Sequence, residues 1–221
     1  MFCIDDYIKI LTKRLQETFK ERLLYIGLQG SYMRGEAKDS SDIDIMAVID
    51  GLSVEDLKTY KNTLEEVGYY EMSCGFICSR TDLASWNPLE ICHLLNATKD
   101  YYGELHTLVP NYTIEDERNY IKLSLNNLYH ELCHRYIHSS REKNISKLPL
   151  TCKSVFFILQ HLHYLDTGNF ACTKQELCQC LSGKDKDILE LSISLQNKPE
   201  YDFDKALSLL FSWCQESLLR V

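Results

Sequence analysis

The stretch from Leu24 to Asp50, LYIGLQGSYMRGEAKDSSDIDIMAVID, constrains this chain more than any other. It predicts an apolar strand, a Gly-Ser turn, a short polar excursion, and a second apolar strand carrying Asp42 and Asp44. Side chains alternate along a strand, so these two carboxylates share one face while Ile43 and Ile45 turn into a core. Like charges held that close repel unless a cation lies between them. Mg²⁺ suits the position, because it takes only one or two protein carboxylates and completes its octahedron with phosphate oxygens and water.

Gly30 and Ser31 supply the complementary half. They follow the first strand directly and open a helical turn, with ten residues, Tyr32 to Ser41, before Asp42. A glycine lets backbone approach a phosphate closely, and free N–H groups at a helix start bind anions. Ser31 adds a hydroxyl donor.

Leu28-Gln29-Gly30-Ser31 followed by Asp42-Ile43-Asp44-Ile45 resembles the nucleotidyltransferase superfamily related to DNA polymerase β, whose signature is hG[GS], a spacer, then Dh[DE]h. The fuller run GSYMRGEAKDSSDIDI is similar to the GSxxRGxAxxxSDIDL form of small bacterial nucleotidyltransferases. Gln29 departs from the pattern, which has an apolar residue there. The resemblance implies an α+β fold, with a small mixed β-sheet nucleotidyltransferase domain followed by an all-α helical bundle. It also implies Mg²⁺ and a nucleoside triphosphate, ATP first, as cofactor and co-substrate. Asp42 and Asp44 would hold the metal, and Gly30 and Ser31 the phosphates.

Composition narrows the setting. At 221 residues, 45% hydrophobic and 25% charged, the chain suits one large domain or two small soluble ones with a real core. The longest strongly apolar piece, Val155–Leu159, is far too short to cross a membrane. The N-terminus is amphipathic and acidic early, unlike a signal peptide. Ten scattered cysteines without an export signal read as reduced thiols of a cytoplasmic protein. Cys74/Cys78 and Cys178/Cys180 lack the paired spacing of a structural zinc site. A net charge of −8 argues against broad nucleic-acid binding.

Taken in order, residues 3–22 predict an amphipathic helix from Ile4, Ile8, Leu11, Leu15 and Phe19. Ser53 with Asp56 predicts a capped helix running to Gly68. Residues 69–79 predict a third strand, where the family places a third carboxylate, so Glu71 is the expected third metal ligand. Thr81 or Asp82 is expected to cap a short helix that Asn87-Pro88 breaks. The Trp86…Pro88…Glu90 run resembles a region of aminoglycoside-modifying nucleotidyltransferases that carries a general base, which makes Glu90 the candidate. Val109-Pro110-Asn111 divides domain 1–110 from domain 111–221. Beyond it, helices are expected at 114–141, from Pro149 to Thr167, after Thr173, near 185–197 and at 203–219. This half loosely resembles the helical domain of aminoglycoside adenylyltransferases, which places Lys174 near the nucleotide phosphates.

One motif competes. His130-Glu131-Leu132-Cys133-His134 is an HExxH run, and on a helix His130 and His134 share a face that could bind zinc with Glu131 as base. His138 extends that face awkwardly, and His161 and His163 on the next helix are the remaining candidates. Arg135 and His138 stand too close for the arginine–histidine RNase motif of helical toxins that partner antitoxins of this superfamily. The expected activity is therefore Mg²⁺-dependent transfer of a nucleoside monophosphate to a hydroxyl of a small molecule such as an aminoglycoside-like antibiotic. The expected partners are a nucleoside triphosphate and that acceptor, with no nucleic acid and no membrane. A protein-modifying antitoxin-type enzyme and a nucleotide-binding regulatory pseudoenzyme are the alternatives.

Overall fold

A computed structural model describes residues 2–197 and 200–221. They form two compact units, Met1–Tyr112 and Thr113–Val221.

The first unit is built on a mixed four-stranded sheet in the order β3-β2-β1-β4. Helix α1 (Ile4–Phe19) buries Tyr7, Ile8, Leu11, Leu15 and Phe19, the stripe that a spacing of three and four dictates. Strands β1 (Leu23–Leu28) and β2 (Ile43–Ile49) pair antiparallel, with Leu28 opposite Ile45. β2 is central and apolar at nearly every position, because both its faces are covered. Its alternate residues Ile43, Ile45, Ala47 and Ile49 join the core beneath α1. Met46 and Val48 point the other way, into a second core with Tyr25, Cys78, Leu83 and Leu105. Asp44 has the parity of Met46 and Val48, so it opens onto that second face. Each fully buried aliphatic of this sheet contributes about 1.5–3 kcal/mol through burial alone.

Helix α2 (Gly30–Met33) is a single short turn after β1, and α3 (Val54–Val67) follows β2. Ser53 and Asp56 cap α3 reciprocally, as expected. Arg22 ties this corner together: its guanidinium donates to both Asp56 oxygens at 3.0 and 2.7 Å and to the carbonyls of Asp50 and Gly51 at 3.0 Å. The third strand is shorter than expected. β3 is Ser73–Cys78, and Tyr70–Met72 form a 3₁₀ turn entered through Tyr69, whose φ is +59°. Ser79, rather than Thr81 or Asp82, caps α4 (Arg80–Ala84), with Asp82 as its reciprocal partner. Asn87-Pro88 starts a helix instead of breaking one: Asn87 caps α5 (Pro88–Asn96), and Pro88 fills the position where its missing N–H costs nothing. β4 (Lys99–Tyr102) completes the sheet beside β1.

The second unit is helical: α6 (Ile114–His138), α7 (Arg141–Thr151), α8 (Lys153–Thr167), α9 (Lys174–Cys180), α10 (Gly183–Asn197) and α11 (Phe203–Arg220). α6 stops at His138 because Ser139 is extended and Ser140 caps α7. Pro149 does not begin a helix but sits inside α7. A proline there leaves the carbonyl four residues earlier without its donor. That carbonyl, Ile145 C=O, instead accepts the Tyr201 hydroxyl at 2.5 Å. The Trp213 indole, in the core of this unit, donates to Asp185 at 2.7 Å. All ten cysteines are free thiols, and no described helix is long and apolar enough to cross a membrane.

Candidate active site

The site assembles at the start of β2. Asp44 is the second residue of that strand and half-buried; Asp42 precedes the strand and is exposed. The Gln29 N–H donates to the Asp44 carbonyl at 2.8 Å, which fixes where β1 hands over to α2. Gly30 follows with φ +68°, a conformation that penalises any side chain. A Cβ built there would stand 1.9 Å from Asp44 Oδ2. Glycine is thus required twice at this position, by its backbone and by the carboxylate against its Cα. Gln29, the departure from the family pattern, donates through its amide to Thr98 Oγ1 at 2.9 Å and so ties the turn to the entry of β4.

Burial raises the Asp44 carboxyl above the usual carboxylate range. The Cys74 thiol, which donates to it, pulls it back down; the Asp42 charge adds to the rise, and Arg34 opposes it. Arg34 itself pairs with Glu36 at 3.0 Å, both side chains largely covered. Two carboxylates that repel across a partly desolvated turn, with one arginine in their field, make a site whose charge favours a divalent cation.

The expected third acid is not on β3. Glu71 lies in the exposed 3₁₀ turn before β3 and not on the strand. The residue paired with Asp44 in the parallel β2–β3 ladder is Cys74. Sequence reasoning missed this because the short strand begins four residues later than its apolar pattern suggests. One signal was present. Gly75 has φ +139°, and a Cβ there would meet the Ile45 carbonyl at 2.1 Å. A glycine inside a strand pattern marks such a close backbone approach, and Gly75 against Ile45 sets Cys74 against Asp44.

Cys74 shares its parity with Phe76 and Cys78, both on the second core face. Phe76 meets Trp86 with ring centroids 4.9 Å apart, and the Trp86 indole donates to Glu90 at 2.5 Å. Glu90 is exposed on the first turn of α5 and is thereby anchored to the sheet face onto which Asp44 opens. A groove of about 360 Å³ runs along β3, lined by Tyr60, Lys61, Tyr70, Cys74 and Phe76 among others.

Lys174 begins α9 in the helical unit, donates to Gln196 at 3.3 Å and lies 5.9 Å from the Phe156 ring centroid. His130, His134 and His138 form an exposed ladder along α6, with successive ring centroids 5.7 and 4.8 Å apart. Glu131 is ion-paired with Arg135 and accepts from Thr151, so it does not stand ready as a hydrolytic base. His161 does not complete that ladder; it is buried, with Nδ1 2.5 Å from Glu117 Oε1. Among the described residues, the three histidines belong to no group of three donors within 4.8 Å of one another.

Three comparisons bear on this geometry. A family model described as "Nucleotidyltransferase domain" matches residues 8–74. Protein adenylyltransferase MntA of Thermococcus cleftensis is 34% identical over 93 residues, 41% of this chain and 84% of that protein. A crystal structure of spectinomycin adenyltransferase AAD(9) from Enterococcus faecialis with ATP and spectinomycin superposes with a TM-score of 0.60 at 14% identity. That match covers 97% of this chain and 98% of the other, and so extends through both the sheet and the helices.

Proposed function

Since the chain belongs to the nucleotidyltransferase family related to DNA polymerase β, we propose that it moves AMP from ATP to a hydroxyl of a small-molecule acceptor. Asp42 and Asp44 are the residues that would hold Mg²⁺. Their oxygen donors suit a hard cation, which would offset the burial and, to a lesser degree, the Asp42 charge that together raise the Asp44 carboxyl. Bound there, the metal supplies charge neutralisation for the triphosphate and the departing pyrophosphate.

The chain's own groups do the rest. The bare Cα of Gly30 lets the turn close on Asp44, and Ser31 offers its hydroxyl and N–H to phosphate oxygens. Cys74 and Arg34 orient and stabilise the Asp44 carboxylate. Glu90, held by the Trp86 indole, takes the acceptor's hydroxyl proton as its oxygen attacks the α-phosphorus. The bond from that phosphorus to the bridging oxygen breaks, and pyrophosphate leaves.

The observation that carries the reading is the contact of Gly30 with Asp44, which makes the Gly-Ser turn and the acid pair one device. The likeness to a spectinomycin adenyltransferase over both units favours a small acceptor of the aminoglycoside-like class. A second reading, a protein acceptor, draws support from the relative named as a protein adenylyltransferase. In either case the ten free thiols suit a reducing cytoplasm. Turnover of α-labelled ATP and GTP against an aminoglycoside panel and a lysate separates the two acceptors. Asp42→Asn is expected to abolish labelling while leaving the melting curve intact; full labelling by that variant would refute the assignment.

A further inference from the structure

Aromatic rings gather where three separate segments of the first unit meet. Phe2, ahead of α1, stands edge-on to Tyr32 of α2 with ring centroids 5.7 Å apart, and to Tyr69 at 4.7 Å. Tyr7, on the first turn of α1, closes the group, its ring 5.9 Å from both Phe2 and Tyr69. Tilted rings at these separations attract one another. The Tyr7 side chain is buried and its hydroxyl has no hydrogen-bond partner among the described residues, so ring packing sets its place.

Two features set this group apart from ordinary core. Tyr69 holds a left-handed backbone, φ +59° and ψ +24°, directly after Gly68 at φ +96°. A tyrosine keeps such a conformation only where its surroundings over-determine it, and here Phe2 and Tyr7 hold the ring. The second feature is α2 itself. One turn of helix does not hold itself, and its backbone hydrogen bonds are long: Met33 N–H to the Gln29 carbonyl at 3.4 Å and Arg34 N–H to the Gly30 carbonyl at 3.3 Å. Side chains must therefore seat the turn, and Tyr32 and Met33 pack against the core beneath α1.

We infer that Phe2 is a positioning residue for nucleotide binding: it clamps Tyr32 beside Tyr69 and so holds the Gly30–Ser31 turn where it meets the triphosphate. This deepens the proposed reading and rests on it for the role of Ser31. Tyr32 is the next residue after Ser31, so a tyrosine ring free to swing carries the serine hydroxyl with it. Phe2 acts only through that ring. The turn meets ATP before any bond changes, so loosening the clamp weakens ATP binding rather than the chemical step.

The test is calorimetric titration of the full chain with ATP and Mg²⁺, for wild type, Phe2→Ala, Tyr32→Ala and the double variant. Each single change is expected to weaken ATP binding by about tenfold, through loss of the ring contacts that seat the turn. The double variant is expected to match the singles, because both changes break one clamp. Phe2→Tyr keeps the ring and should bind ATP as wild type does. Ile49→Val lowers stability from the end of β2 remote from Asp44, where Ile49 pairs with Leu23, and should leave ATP affinity unchanged. Should Phe2→Ala misfold, Tyr69→Gly relaxes the left-handed backbone while deleting a ring of the clamp. It should keep its Tm yet bind ATP several-fold more weakly. Wild-type ATP affinity in Phe2→Ala or Tyr69→Gly, or a double variant weakened by the product of the singles, about a hundredfold, would overturn the inference. So would an equal weakening in Ile49→Val, since any loss of stability would then suffice. Those results leave the transferase reading standing; wild type that binds no ATP with Mg²⁺ would sink that reading itself.

Discussion

Replacing Gly30 by alanine separates backbone strain from displacement of the Asp44 carboxylate, the proposed metal ligand. Two costs arise. A φ of +68° penalises any L side chain by about 1–2 kcal/mol. The new Cβ also stands 1.9 Å from Asp44 Oδ2, so that oxygen must retreat by about 1.5 Å to reach the 3.4 Å at which ordinary contact begins. The Asp44 main chain cannot follow, since its carbonyl is held by Gln29 N–H at 2.8 Å within the β1–β2 ladder. The side chain therefore leaves its rotamer, at a further cost of about 0.5–1.5 kcal/mol. Gly51 is the control: its φ is +57°, and a Cβ there meets nothing within 4 Å. Urea denaturation should give a loss of about 1 kcal/mol for Gly51→Ala and about 2 kcal/mol for Gly30→Ala. Activity should diverge far more, because misplacing a catalytic group by about 1 Å costs on the order of 10²-fold. Gly51→Ala should keep its turnover of α-labelled ATP, while Gly30→Ala should lose about a hundredfold. If the two variants turn over within a few-fold of each other, the Gly30–Asp44 contact does not position the acid and the argument fails.

Asp44→Asn should be inactive yet more stable. Burial and Asp42 raise the Asp44 carboxyl, so the native state is favoured by its protonation and penalised once pH climbs above its folded pKa. The variant's Tm should exceed that of wild type at neutral pH, and the gap should close as pH falls toward the ordinary carboxylate value of about 4; a gap that widens in acid contradicts this. Glu90→Gln should lower kcat by about 10²-fold or more with little change in KM, as for loss of a general base. Glu71→Gln should behave like wild type in the same assay, and the reverse result would restore Glu71 as a metal ligand. Tyr201→Phe should cost about 1 kcal/mol in urea denaturation by orphaning the Ile145 carbonyl. Adding Pro149→Ala should recover most of that loss by returning an N–H to the same carbonyl, and strict additivity of the two changes would argue against this link.

Much of this protein is written in local pattern. The period of two in β2 placed Asp44 opposite Ile43 and Ile45, and the stripe of α1 fell where a period of three to four put it. Capping chemistry located α3 and α9 through Ser53–Asp56 and Thr173–Glu176. Such features depend on neighbours a few residues apart, which a linear reading can see. Asn87-Pro88 and Pro149 were harder, since a proline opens one helix and sits inside another according to which distant group satisfies the freed carbonyl. For Pro149 that group is Tyr201, fifty-two residues on.

The acid pair, its Gly-Ser turn and the reaction class they imply were therefore determined by the sequence itself, because their spacing is set within a single strand–turn–strand. What stands beside the pair was decided only by tertiary structure. Pairing between β2 and β3 is a contact between segments some thirty residues apart, and a shift of its register changes every neighbour. The close approach of Gly75 to the Ile45 carbonyl settles that register, bringing Cys74 to Asp44 and leaving Glu71 in an exposed turn.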